Sequence, residues 1–306
     1  KGYRNFLNKL WNANNFLIQN KCSFKNIQKK PKISININKW IYAELLETKK
    51  NVEKNIKDYR FDEAARNSYQ FVWHSYCDWY LELTKTILYS NDKKSIKEIR
   101  EVSSYIFKEI LILMHPFIPF VTEEIWLKNK LDNSKKNYLM LANWVSGSSK
   151  KDQDFKEVEK IINIISQIRS FKNELNVSPG SFVDISLSKI STNNKAFFKH
   201  NNIVLKKLGR INNFFDKDKE KPSATMVISG DIFKVYFEEN VDLGVIKENL
   251  LNKQKKCQNE IDKINSRLNN KDFISRAPKH IVEQEKTNYN NLKNDIKKIS
   301  LTVKSL

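Results

Sequence analysis

Between residues 3 and 17 the apolar positions Tyr3, Phe6, Leu10, Ala13 and Leu17 step by three and four, so the chain opens on an amphipathic helix reaching about residue 20. After a Lys- and Pro-containing loop at 21–37, Trp40, Ile41, Leu45, Leu46, Val52 and Ile56 mark a second helix over 38–59. A third occupies 59–85, with Ala65, Tyr69, Trp73, Tyr76, Tyr80 and Leu83 at core spacing. A fourth runs over 96–114 and stops where His115-Pro116 and Ile118-Pro119 interrupt the hydrogen-bond ladder. Thr122 is placed to cap a short fifth helix, with Glu123 and Glu124 facing its positive end. Five helices with short connections predict an antiparallel bundle over 1–144.

The pattern changes after residues 145–152, VSGSSKKD, which read as a linker. A helix at 155–175 ends at Asn176-Val-Ser-Pro-Gly. Alternation then predicts strands at Val183, Ile185 and Leu187, at 225–229 and at 232–237, with a helix near 195–208. Residues 152–240 are therefore a small α/β junction module. From 241 onward, Leu243, Leu250, Gln254, Cys257, Ile261, Ile264 and Leu268 hold heptad seam positions, with Lys247 at an early one. A break at 269–278 follows. Val282, Glu285, Tyr289, Leu292, Ile296, Ile299, Val303 and Leu306 then resume the three-four step, so 241–306 forms an antiparallel coiled-coil hairpin. The fold class is mainly α: a bundle, a small α/β module and a helical arm of about 40 Å at 1.5 Å per residue.

Composition agrees with helical domains, since there are only six Gly and six Pro in 306 residues. The net charge of +20 points toward a polyanion, although Lys and Asn are so abundant that base composition alone would raise it. The charge concentrates at the two ends: 26 Lys and Arg against 15 Asp and Glu in 1–150, and 14 against 8 in 241–306. Cys22, Cys77 and Cys257 are far apart and form no CxxC, which fits a reducing, cytoplasmic setting without a disulfide framework or zinc module. No apolar run approaches the ~20 residues that span a bilayer, so no membrane partner is expected. The chain begins at Lys1 in a helical pattern and reads as part of a longer protein.

Candidate chemistry is sparse. His74, Cys77 and Asp78 share a helical face, but no second Cys or His pair completes a zinc site, and a structural His–Asp contact beside a buried thiol explains them more simply than a nucleophilic pair. The remaining histidines stand in HPF, HNN and HIV contexts without near ligands. Phosphate-loop, dinucleotide, zinc-protease and nucleophile-elbow motifs are all missing from the sequence. No catalytic residue and no metal is therefore assigned. Binding surfaces are better represented. Arg4, Lys9, Trp11, Asn12, Asn15 and Phe16 combine cations, amides and rings, the mixture that suits unpaired RNA bases, although an ordinary polar helix face fits equally well. At the arm's turn, Lys271, Arg276, Lys279 and His280 surround Phe273, which could equally be a structural plug.

The segments YRNFLNKLWNANNF (3–16), YRFDEAARNSYQFVWHSYCDWYLELTK (59–85), LMHPFIPFVTEEIW (113–126), ISQIRSFKNELNVSPG (165–180) and LNNKDFISRAPKHIVEQEK (268–286) resemble, in order and spacing, the C-terminal part of bacterial-type valyl-tRNA synthetases. That resemblance implies an anticodon-binding bundle and an arm that touches the outer corner of the tRNA. It puts Phe16 at the place of an aromatic that stacks on an anticodon base, with Arg4, Lys9, Asn12 and Asn15 beside it. On the arm it nominates Arg276, in the RAP motif, and nearby Arg267; Lys271, Lys279 and Phe273 stand with them as candidates from the tip's composition, Phe273 with the alternative of only holding the turn. The implied partners are tRNA(Val) and the catalytic and editing domains of the same enzyme, the whole being a monomer. The HIGH and KMSKS sequences of class I catalytic domains do not occur in these residues. No cofactor is expected in this chain; ATP and Mg belong to the full-length enzyme, and the chain alone should be inactive. A stand-alone RNA-binding or helical protein-interaction module derived from a synthetase is the alternative.

Overall fold

A computed structural model describes residues 2–24, 30–131, 138–144, 147, 153–220, 223–228, 230–238, 241–270 and 278–306. The chain divides into two compact units, residues 1–163 and 164–306.

In the first unit the helices are α1 (Gly2–Gln19), α2 (Asn36–Lys57), α3 (Phe61–Gln70), α4 (Leu81–Leu88), α5 (Lys93–Met114) and α6 (Pro119–Lys128); a π-helix, Phe71–Tyr80, joins α3 to α4. Every residue of α5 from Val102 to Met114 is buried, so this helix is the axis around which the others pack. Each large aliphatic side chain fully buried there contributes roughly 1.5–3 kcal/mol. Two polar clusters sit in this core. Lys49 and Glu109, both 1% exposed, pair at 2.5 Å, with the Lys49 ammonium 4.7 Å from the Trp144 ring centroid. Tyr80 donates to Asn38 Oδ1 at 2.8 Å, and Asn38 Nδ2 donates to Glu98 at 3.0 Å. Glu98 also accepts the Ser34 and Ile35 backbone N–H groups at 2.8 Å each. The α2 cap residue, Ile35, offers no side-chain oxygen, so the carboxylate of a different helix does the capping. Burial opposes the Glu98 charge, but hydrogen bonds from Ser34, Ile35 and Asn38 hold its carboxyl below the ordinary range.

The π-helix corrects one expectation. Ala64, Ser68, Val72, Tyr76, Tyr80 and Thr84 form the buried line, spaced by four throughout. A helix mixing 3.6-residue α turns with wider i→i+5 turns keeps every fourth residue on one face. Ala65, Tyr69 and Trp73, expected in the core from α spacing, lie at its margin; Tyr69 is 37% exposed. Thr122 is likewise not the cap of α6. That helix starts at Pro119, and the buried Thr122 hydroxyl donates back to the Ile118 carbonyl at 3.0 Å and meets His115 Nδ1 at 2.9 Å. Glu123 instead accepts the Leu139 N–H at 3.1 Å, holding the following segment. The expected linker lies outside the described residues except Gly147, and the helix after it, α7, spans Gln153–Glu174.

The second unit contains a four-stranded sheet. Its strands are β1 (Val183–Ser186), β2 (Ile211–Phe215), β3 (Ala224–Ile228) and β4 (Asp231–Phe237), in the order β2-β1-β4-β3. β1 and β2 are parallel, and the other pairs are antiparallel. Between β1 and β2 the chain makes two helices, α8 (Thr192–His200) and α9 (Asn202–Gly209), where a single one is expected; Asn201, at φ −97° and ψ 17°, breaks the continuity. β2 is absent from the sequence reading because its pattern, INNFF, does not alternate. A bulge explains this: Val183 and Ile185 pair with Ile211 and Phe214, so β2 carries one extra residue, which returns Ile211 and Phe214 to the same face.

Lys172, 2% exposed, donates to the carbonyls of Ser181, Gly209 and Arg210 at 2.9, 3.1 and 3.2 Å. The last two lie at the negative end of α9. Burial, helped by the charges of Arg210 and Arg169, pushes its ammonium down to about 8.

The arm is α10 (Leu243–Asn269) against α11 (Lys279–Ser305). Ile246, Leu250 and Ile299 root it in a cluster with Leu175, Val177 and Ala224. Farther along, Cys257, Ile264, Leu268, Val282, Tyr289 and Leu292 are only half-buried, as a two-helix seam requires. Gln254, the polar seam residue, donates to Ser300 Oγ at 3.0 Å. Lys247 is exposed; Ile246 takes the early seam place instead.

Candidate nucleic-acid interface

On α1 the buried line is Phe6, Leu10, Ala13, Asn14 and Leu17, which leaves two other faces. Arg4, Trp11 and Asn15, at i, i+7 and i+11, share one. Arg4 is exposed, Asn15 half-buried, and Lys128 of α6 holds its ammonium 4.9 Å from the Trp11 ring centroid. Asn14 Oδ1 accepts from Asn129 Nδ2 at 2.6 Å, while the buried Asn14 Nδ2 has no acceptor among the described residues. Asn12, also exposed, lies between the two faces.

Lys9 and Phe16 share the second face, against the π-helix and α4. Lys9 pairs with Asp78 and lies 4.1 Å from the Trp73 ring centroid. The half-buried Phe16 has the Lys85 ammonium 5.5 Å from its centroid, and Lys85 pairs with Glu82 at 2.5 Å. The structure thus brings Lys128, Asn129 and Lys85 to the candidate surface. Sequence reasoning missed them because a cation over a ring forty or more positions away leaves no local spacing signal.

The His74, Cys77 and Asp78 group resolves as a charge-positioning contact. His74 Nδ1 is 3.3 Å from Asp78 Oδ2, and Asp78 binds Lys9 with its other oxygen. Cys77 is buried, and desolvation pushes its thiol up to about 12 against the opposing effect of Lys9, so it carries no thiolate near neutral pH. Among the described residues, no three of His, Cys, Asp and Glu come together as a group able to hold a metal ion.

On the arm, Arg267 is 60% exposed in its side chain and pairs with Glu285 at 3.0 Å. Lys271, Phe273 and Arg276 lie outside the described residues, as does the side chain of Lys279, whose backbone begins α11. Lys253, Lys255, Lys256, Lys263, Lys286, Lys293 and Lys297 stand along the two helices, all of them exposed.

Two family models match this architecture. Residues 38–187 match the anticodon-binding domain of tRNA ligase, and residues 242–306 match the valyl tRNA synthetase tRNA binding arm. Over all 306 residues the chain is 66% identical to the valine–tRNA ligase of Pelagibacter ubique (strain HTCC1062). The chain belongs to the valine–tRNA ligase family. It is also 32% identical to the enzyme of Bartonella quintana (strain Toulouse) and 30% identical to that of Aquifex aeolicus (strain VF5), in each case over the whole of this chain. It spans 35%, 34% and 27% of these relatives' lengths, matching the C-terminal part of the ligase. Helix α1, which bears the two faces just described, precedes the stretch matched by the anticodon-binding model. Among the described residues, no helix is long and apolar enough to cross a membrane.

Proposed function

We propose that the chain binds tRNA(Val) at two places, the bundle at the anticodon stem-loop and the arm at the outer corner of the folded RNA. It thereby serves ATP-dependent valylation carried out by the remaining length of the ligase. The observation that carries this reading is the pairing of an aromatic, cationic and amide-bearing α1 surface with a cation-rich arm, in a chain matching an anticodon-binding domain and a tRNA-binding arm. Phosphate contacts from the many lysines supply most of the affinity, and bases supply the choice. Phe16 and Trp11 offer rings to unpaired bases; Asn12 and Asn15 offer amides to their edges. ATP and Mg act in the rest of the protein, in a cytoplasmic setting that suits three free thiols.

The test is a filter-binding titration of the chain against tRNA(Val) and a tRNA with another anticodon, across a salt series. Affinity should fall steeply with salt, and tRNA(Val) should bind more tightly. Equal affinity at every salt concentration removes the anticodon-reading role, and salt-independent binding favours a protein-interaction module. Phe16→Ala should reduce discrimination more than total binding, since stacking one base is worth about 1–3 kcal/mol. Arg4→Ala should weaken binding more than Lys9→Ala, because Asp78 already neutralises Lys9.

A further inference from the structure

A pocket of about 150 Å³ opens where α8 and α9 meet the end of β2. The bulge in β2 creates it by turning Phe214 onto the helix side, where its ring meets Phe198 edge-on at 5.4 Å between centroids. Phe198 is buried and Phe214 half-buried, so the pocket has an aromatic wall. Three kinds of polar group surround it. Lys199 is exposed at the rim, and Lys206 is half-buried with its ammonium 3.4 Å from Asn213 Oδ1. Asp216, also in the lining, is exposed and lies 4.0 Å from Lys195, at the outer limit of an ion pair. Asn202 also lines the pocket, and its Oδ1 is buried with no hydrogen-bond donor among the described residues. Leaving such an acceptor unsatisfied carries its full desolvation cost.

We propose that this pocket binds one unpaired nucleotide, its base against Phe214 and its phosphate at Lys199 and Lys206. The volume is below the ~300–1,000 Å³ of drug-sized ligand sites and suits a single ring system. An aromatic wall favours a flat π-face, and every base offers one. The paired lysines require an anion tethered to that ring. Both acceptors, Asn202 Oδ1 and the Asp216 carboxylate, call for donors on the base edge. Guanine, adenine and cytosine carry an exocyclic amino group with two donor hydrogens, enough for both acceptors, whereas uracil offers only its single N3–H and leaves one of them unsatisfied.

The site shares no residue with the α1 surface or the arm, so it stands or falls independently of tRNA(Val) recognition. The ligand's source is either a free nucleotide or an unpaired residue of an RNA. Calorimetric titration of the full chain with GMP, AMP, CMP and UMP should give one site, with UMP about tenfold weaker or undetectable. Asn202→Leu should abolish the preference over UMP, and the double change K199E/K206E should lower affinity for every nucleotide at least tenfold. Circular dichroism checks that both variants remain folded. If K199E/K206E loses the fold, Asn202→Leu alone decides. Single-stranded pentanucleotides binding more tightly than monophosphates, at the same site, assign the source to RNA; the reverse order assigns it to free nucleotides. No binding at millimolar monophosphate, equal affinity for UMP, or affinities and preference unchanged in Asn202→Leu overturns the proposal. If tRNA binding survives that outcome, the proposed function is left standing.

Discussion

The bundle and the arm are both helical, yet they are stable for different reasons. In the bundle, α5 is surrounded, so each of its residues from Val102 to Met114 contributes to one shared core. In the arm, each helix has only one partner along most of its length, and only the root around Ile246, Leu250 and Ile299 joins a larger cluster. The bundle core therefore encloses an ion pair, Lys49 with Glu109, whose other carboxylate oxygen, Oε1, has no donor among the described residues. The arm places most of its charges outside a narrow seam; Glu285, a seam position, is held there by Arg267 at 3.0 Å. This difference predicts that damage to the bundle is global and damage to the arm is local.

The largest expected effect breaks the bundle's internal ion pair. Glu109→Ala leaves the Lys49 ammonium buried without its partner, which typically costs about 3–5 kcal/mol. The thermal midpoint of the first unit should fall by many degrees, read by circular dichroism. The double change of Lys49 to Met and Glu109 to Leu should recover most or all of that loss, because an apolar pair of similar volume needs no desolvation. Failure to recover would mean that the pair does more than satisfy itself.

Next in size is the seam. Ile261 is 8% exposed and lies on the arm beyond its root. Ile261→Ala should cost about 2 kcal/mol, near the lower bound for such truncations, because one side of the site opens to solvent. Hydrogen exchange should speed up along α10 and α11 and stay unchanged in α5. Uniform acceleration through both units would erase the contrast between local and global stability.

Two buried lysines sharpen the comparison further. Lys49 has a carboxylate; Lys172, in the second unit, has three carbonyls and a pKa of about 8. Above about pH 8 the folded chain releases the Lys172 proton, while the unfolded chain keeps it until near the ordinary 10.5. The unfolded state then binds more protons, so this residue makes stability rise with pH across that window. Comparing urea midpoints of the parent and Lys172→Met from pH 7.5 to 10 isolates the contribution. Parallel curves would show that Lys172 titrates alike in both states.

Much of this organisation is legible from periodicity. The three-four steps give every long helix to within a few residues, and the heptads give the arm, because one buried face leaves a period in the sequence. What escapes has a physical reason in each case. The π-helix hides behind α spacing, since its buried line includes Ala64, Ser68 and Thr84, which carry little apolar signal. β2 escapes because a bulge cancels its alternation. Glu98 as the cap of α2, and Lys128 and Lys85 over the rings of α1, depend on tertiary approach alone. The α1 candidates were readable as residues, but not as two separate faces.

The smallest effect tests what the arm gives up for its register. Gln254 is half-buried in an otherwise apolar seam and reaches Ser300 on the opposite helix at 3.0 Å. A polar seam residue costs stability compared with Leu, but it favours the alignment in which its partner is present. Gln254→Leu should therefore stabilise the arm slightly, by less than about 1 kcal/mol once the lost hydrogen bond is offset by apolar burial. Its cost should appear elsewhere. With an apolar side chain at this position, a one-heptad slip of α10 against α11 no longer strands an amide, so alternative pairings become accessible. The seam thiol of Cys257 serves as a reporter that leaves Gln254 free to be varied. Ile296→Cys tests the native alignment, because in an antiparallel pair a step toward the tip on α10 is matched by a step back along α11 from Ser300. Tyr289→Cys, one heptad away, should cross-link to Cys257 in the Gln254→Leu background and not beside the native glutamine. If the slipped pair never forms, sequence-distant contacts at the root, Thr302 to the Thr225 carbonyl among them, already fix the alignment, and Gln254 is a tolerated residue with no role in specifying it.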